Sequence, residues 1–354
     1  MYSPRQQNLI GRTNAREGVP RRRLLQGAGA LGVAGSLHPT AAFAESSEDE
    51  DERLGPFGPW STPVNLGPVV NSPFDDFHPA ISKNGLSLYI SSLRPGGVNG
   101  NLGKVGEIWV SQRTSLDAEW ETPVNLGSVI NSKDWNTGAP NFSADGHLMF
   151  FHSPRPEGCG LADLYVSWRA NKLNDFGWQE PANLKCTINS PFSDNGPAYF
   201  EDEETGIITM YFNSDRPGGP GSVNIYASSL GDDGSFGPAV LVPELSGHIN
   251  QGRPAIRRDG LEIFIPANGI GLGSPNDIWV STRQSTADPW PTPVNLGRPV
   301  NSGFGEGGPA LSWDGAAMYF YSYRPGGFGG QDLYVTTRRK LREHERESEI
   351  RPVK

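Results

Sequence analysis

Trp60-Ser-Thr-Pro-Val-Asn-Leu-Gly67 returns as Trp120-Glu-Thr-Pro-Val-Asn-Leu-Gly127 and again as Trp290-Pro-Thr-Pro-Val-Asn-Leu-Gly297. Two weaker copies, Trp178-Gln-Glu-Pro-Ala-Asn-Leu-Lys185 and Phe236-Gly-Pro-Ala-Val-Leu-Val-Pro243, fill the gaps, so the unit recurs at intervals of 54 to 60 residues. A fixed period of this length marks an array of supersecondary units. Outward from each copy the order is constant. An Asn-rich loop comes first, then a proline opening an apolar segment: Pro79, Pro140, Pro197, Pro254 and Pro309. Next come turn dipeptides, Asn84-Gly85, Asp145-Gly146, Asp259-Gly260 and Asp314-Gly315, which are strong short hairpin signals. Blade 3 has Glu203-Glu204-Thr205-Gly206 instead.

β-branched and aromatic runs follow the turns, such as Leu86–Ser92 and Leu148–Pro154. After an Arg-Pro-Gly-Gly loop at Arg94, Arg216 and Arg324 a last strand begins, as at Glu107, Asp163, Asn224, Asp277 and Asp332. Runs of this composition bounded by Gly and Pro read as strands. Each unit therefore holds four short antiparallel strands, one blade of a propeller. With the proline segment as innermost strand A, the fifth unit ends after strand C. The strand at Trp60–Leu66 is of the missing D class, so it is expected to complete the last blade and close the ring. The expected fold is all-β: a five-bladed β-propeller over residues 60–338. Closure also removes a long sheet edge that would otherwise invite aggregation.

The repeats W-x-x-P-V-N-L-G, P-A-x-S-x-D-G, S-x-R-P-G-G and D-[IL]-[YW]-V-S resemble the WD40-like β-propeller repeat of TolB and of envelope proteins with OmpA-like modules. The resemblance spans most of the chain and implies a periplasmic interaction role. Unit 4 departs from it, with Ala267-Asn268-Gly269 in place of the Arg-Pro-Gly-Gly loop.

Composition agrees with an all-β chain. Of 354 residues 45 are Gly and 31 Pro, and 19% are charged against 10% aromatic. That mixture excludes long helical architectures and polyelectrolyte disorder. Residues 18–44 place Arg21, Arg22 and Arg23 before a mildly apolar stretch ending Ala42-Phe43-Ala44, the order of an export signal of twin-arginine type. Residues 45–59 read as an acidic linker, and residues 339–354 as a charged tail. Without residues 1–44, which carry six Arg and one Glu, the net charge passes from −9 to −14. Nucleic acid and anionic membrane are thereby excluded as partners. A periplasmic or extracellular monomer with no membrane span after signal cleavage is expected.

Residues repeated in every blade are expected to hold the blade together. Arg94 is expected to pair with Glu107, Arg155 with Asp163 and Arg324 with Asp332, and the repeat Trp to pack between blades. Function is expected where blades differ, on the face carrying the D–A and B–C loops. Three positions before each strand-A proline stand Asp76, Thr137, Asp194, Gln251 and Glu306; one position before stand His78, Ala139, Gly196, Arg253 and Gly308. From this set Asp76, His78, Thr137, Asp194, Gln251, Arg253 and Glu306 are candidate ligand-binding residues. The main expectation is a binding or interaction module of the cell envelope, its partner a protein or glycan, with no cofactor. The alternative is a glycoside hydrolase using Asp76, Asp194 and Glu306, since that chemistry needs two carboxyl groups of different protonation. The same ring offers hard oxygen ligands to Ca²⁺, or simply caps the D–A loops. Finally, Cys159 and Cys186 emerge on one face of blade 2, and a disulfide is expected if the B–C loop folds outward. Two buried thiols are the alternative.

Overall fold

The structure, a computed structural model, describes residues 57–341 except 99, 101–104, 248–249 and 269–275. The expected signal sequence, most of the expected acidic linker and most of the expected charged tail lie outside the described residues. Twenty strands form five separate four-stranded antiparallel sheets. Blade 1 runs β2 (Asp76–Ile81), β3 (Ser87–Ser92), β4 (Glu107–Gln112) and β5 (Val124–Asn125). Blade 2 repeats it as β6 (Gly138–Phe142), β7 (Leu148–Ser153), β8 (Asp163–Trp168) and β9 (Ala182–Asn183). Blade 3 spans β10 (Asp194–Glu201) to β13 (Val240–Leu241), and blade 4 spans β14 (Ala255–Ile256) to β17 (Val294–Asn295).

Blade 5 is β18 (Glu306–Leu311), β19 (Ala317–Ser322), β20 (Asp332–Thr337) and, from the other end of the chain, β1 (Val64–Asn65). Val64 lies opposite Val335 and Asn65 opposite Tyr334. The closure continues outward, because Phe57 bridges to Lys340. Its ring stacks under the Arg338 guanidinium, 4.0 Å from centroid to carbon.

The hairpin turns form for a local reason. In blade 1, Asn84 Oδ1 accepts hydrogen bonds from Ser82 Oγ and Leu86 N–H, and Gly85 takes a φ of +71° that only glycine adopts without penalty. Packing then makes the ring. The buried hydrophobic residues fall into five clusters, each between two neighbouring blades: Tyr89 and Ile108 meet Met149 and Phe151 across blades 1 and 2, and Leu88 and Ile90 meet Tyr319 and Leu333 across blades 1 and 5. No blade has a core of its own. The repeat tryptophans belong to these layers: Trp178 stacks on Phe142 and meets Tyr89 of the preceding blade edge-on. Arg169 covers its outer face at 4.3 Å.

The innermost strands carry an irregularity. In blades 1, 2, 3 and 5 the pairing of strands A and B shifts register just before the proline. At the residue before that proline the chain turns left-handed, with φ of 46° at His78, 54° at Ala139, 60° at Gly196 and 58° at Gly308. For His78 and Ala139 this conformation is strained. The bulge turns these residues toward the axis.

Candidate functional site: the axial funnel and its loop crown

The repeated arginines do not pair with the acid that opens strand C. Arg94 Nη2 donates to Asp76 at 2.6 Å, Arg216 Nη2 to Asp194 at 2.5 Å and Arg324 Nη2 to Glu306 at 3.2 Å. The strand-C acids have another task. Asp332 accepts the N–H groups of Phe328 and Gly329 in its own B–C loop, together with Asn65 Nδ2 at 3.0 Å. The loop curls back onto its own strand, which carries its arginine across to the D–A loop.

Each ring carboxylate is fully buried and surrounded by donors. Asp76 accepts Ser72 N–H and Ser92 Oγ, both at 2.5 Å, besides Arg94. Asp194 accepts both N–H and Oγ of Ser190. Glu306 accepts Ser302 N–H, Ser302 Oγ and Ser322 Oγ. The same arginine reaches two further acceptors, as Arg94 does with Val70 O at 2.7 Å and Ser92 Oγ at 2.8 Å. These three carboxylates thus fasten the D–A loop to the B–C loop, the capping role among the alternatives above. Among the described residues no three of His, Cys, Asp and Glu could hold a metal ion together.

Blade 2 carries Thr137 at this position, buried, with Oγ1 unpartnered. Arg155 therefore bonds only Ile130 O, and its Nε is unpartnered. Blade 2 carries a covalent tie at a different place: Cys159 of its B–C loop and Cys186 after β9, in the loop leading to blade 3, form a disulfide, with Cα atoms 5.5 Å apart. In blade 4, Gln251 is buried with Oε1 unpartnered.

The axial residues do meet. Arg253 reaches across the ring, donating from Nη1 to Pro79 O at 2.9 Å and from Nη2 to Pro140 O at 2.6 Å. It links blade 4 to blades 1 and 2. Small neighbours make room for it, since a Cβ at Gly196 would lie 2.7 Å from Arg253 Cβ, and one at Gly308 2.9 Å from His78 Cδ2. His78 meets His152 and Tyr321 edge-on at 6.2 and 5.9 Å. Gly196 N–H donates to His152 Nδ1 at 3.3 Å. Burial, helped by the Arg253 charge, lowers the His78 pKa well below its ordinary value and that of His152 to about 4. Both rings are therefore neutral at pH 7. Burial also lowers Arg253, to about 9, and raises the Tyr321 hydroxyl.

Two sets of residues escaped the sequence reading. Strand B presents one equivalent residue per blade beside the axis, and all five differ: Ser91, His152, Asn213, Pro266 and Tyr321. Two positions before the ring residue, four blades carry an exposed aromatic on the D–A loop: Phe74, Trp135, Phe192 and Phe304, 36%, 40%, 40% and 45% accessible. Their equal offset from Asp76, Thr137, Asp194 and Glu306 was the available signal. All four stand at the same place in the repeat, just before strand A on the D–A loop face, and are called here the crown.

No family model matches the chain, and no curated protein matches it in sequence. The WD40-like resemblance therefore holds at the level of five four-stranded blades. Solved structures do match. The α-L-arabinofuranosidase of Lactobacillus brevis is 14% identical with a TM-score of 0.54, covering 79% of this chain and 94% of its own. An endo-arabinase from Bacteroides thetaiotaomicron is 16% identical with a TM-score of 0.53, over 80% and 99%. The catalytic domain of the Coprinopsis cinerea GH62 α-L-arabinofuranosidase is 14% identical with a TM-score of 0.51, over 80% and 98%. These neighbours overturn the expectation of an envelope binding or interaction module, because all three are named as glycan-cleaving enzymes. The hydrolase alternative accords with them better.

Proposed function

We propose that the chain is a glycoside hydrolase of the five-bladed propeller type, acting on a glycan that lies across the D–A and B–C loop face. The observation that carries this reading is the aromatic crown. Phe74, Trp135, Phe192 and Phe304 offer flat apolar faces on the D–A loop side of the ring, and the C–H faces of sugar rings stack on such surfaces. The arabinan-cleaving names of the fold neighbours support the reaction class. Proton transfer falls to Asp76, Asp194 and Glu306, one serving as acid and another as base or nucleophile. Their burial adds a condition. Substrate reaches a ring carboxylate only when the D–A loop closed by Ser72, Ser190 or Ser302 swings away and the arginine releases its oxygen.

The work is placed outside the cytoplasm. The export signal at Arg21–Arg23 supports this, and the Cys159–Cys186 disulfide suits an oxidising compartment. Among the described residues no helix is long and apolar enough to cross a membrane.

Reducing-sugar release from arabinan, arabinoxylan and galacturonan by the purified protein tests the reading. Hydrolysis of one of them is expected, with kcat falling at least tenfold in Asp76→Asn, Asp194→Asn or Glu306→Gln while the circular dichroism is kept. Sugar binding without any release would overturn it.

A further inference from the structure

The charge at the axis is unbalanced. Arg253 is 3% accessible, yet among the described residues no carboxylate forms an ion pair with it; burial alone sets its pKa, with no acid opposing. The three nearby ring acids each face an arginine of their own. A buried cation is expensive unless paired or hydrogen-bonded, and two backbone carbonyls answer only Nη1 and Nη2. Arg253 Nε and His78 Nδ1 remain buried without partners. The walls above them, His78, His152, Asn213 and Tyr321, are partly accessible. Both histidines are neutral at pH 7, so neither competes with Arg253 for an anion, and His78 can donate from a ring N–H. In an exported chain of net charge −14 this funnel floor is a local positive site, the arrangement that draws an anionic group inward.

We propose that the axial funnel takes a carboxylate, and that the glycan recognised by this face carries a uronic acid whose carboxylate sits over the Arg253 guanidinium. The sugar part rests on the hydrolase reading; the anion part rests on the funnel alone. Neutral rings of the same chain would lie on the aromatic crown while the acidic ring points down the axis.

Calorimetric titration of the purified protein with trigalacturonate, its methyl ester and an arabinose trimer tests this, with acetate and chloride as free anions. Trigalacturonate is expected to bind at least tenfold more tightly than its ester, and Arg253→Met to abolish that preference while Arg253→Lys keeps part of it. Equal binding of acid and ester overturns the proposal, and that comparison needs only the native chain should the Arg253 variants fail to fold. An equal response to acetate or chloride overturns the sugar assignment. Cleavage of neutral arabinan with no preference for uronate removes this inference and leaves the hydrolase standing. Uronate binding with no cleavage of any glycan removes the hydrolase and leaves the anion site.

Discussion

Blades 1 and 2 hold the same pair of loops unequally. Each must fasten its B–C loop to its D–A loop at the rim of the funnel. Blade 1 does so with Arg94 on Asp76, and blades 3 and 5 copy it. Blade 2 has lost the carboxylate and keeps the Arg155–Ile130 O bond of that clamp, while Cys159 and Cys186 join its B–C loop to the next D–A loop, the one Arg216 and Asp194 also hold. The carboxylate of the clamp is thus dispensable in one blade, and the disulfide adds a different joint beside it. Repetition of an acid around the ring therefore points first to support, and the residues that vary around the axis are where a ligand can be told from scaffold.

The comparison breaks most forcefully on the ionic side. Asp194→Ala leaves Arg216 beneath its loop without a counter-charge, and a loss of about 3–5 kcal/mol is expected, read from urea unfolding. A loss under 1 kcal/mol would mean that the clamp is ornamental. Opening the covalent joint should cost less. Replacing both Cys159 and Cys186 by Ser frees a 27-residue separation, worth roughly 3–4 kcal/mol by loop entropy. Proteolytic sensitivity should then appear first in the blade 2 B–C loop, with blade 1 unaffected.

The third prediction concerns the axis, where blade 2 alone presents a histidine from strand B. His152 has its folded pKa lowered to about 4 from an ordinary value of 6.5. Between those values the unfolded chain binds the extra proton, so stability falls as pH drops from about 6.5 to 4 and is steady above. The gap corresponds to about 3 kcal/mol. His152→Gln should flatten that part of the stability–pH curve. An unchanged slope would assign the acid sensitivity elsewhere. The smallest effect sharpens the comparison by undoing it. Thr137→Asp should give Arg155 the partner that Asp76 gives Arg94, with a gain of about 1–2 kcal/mol in thermal unfolding. A destabilised variant would show that the blade 2 seat differs in shape as well as in chemistry.

Much of this was legible in the chain. The Trp60, Trp120 and Trp290 copies, the Asn84-Gly85 type of turn and the unpaired D-class strand suffice for blade count and closure, because turns and hairpins depend on residues close in sequence and the one D-class strand left over has one vacant edge to fill. Candidate residues were legible only as positions. Arg253 bonds the carbonyl of Pro79, next to His78, while Asp76, Asp194 and Glu306, at one shared offset, each hold an arginine of their own. The crown of Phe74, Trp135, Phe192 and Phe304 went unnoticed because an aromatic in a β-rich repeat reads by default as core, and only exposure separates platform from packing.

The sequence by itself determined the number of blades, their strand order and the closure, since a repeat that cannot bury its own apolar face must stack on its neighbours. Tertiary structure alone decided which acid each arginine meets. Arg94 has Glu107 and Asp76 at comparable distances along the chain, and the curl of the B–C loop brings it to Asp76. It alone also decided that Arg253 crosses the axis to blades 1 and 2, because that reach depends on Gly196 of blade 3 leaving space beside its Cβ. Local physics writes strands and turns into sequence; charge pairing across a ring is settled only when the ring is closed.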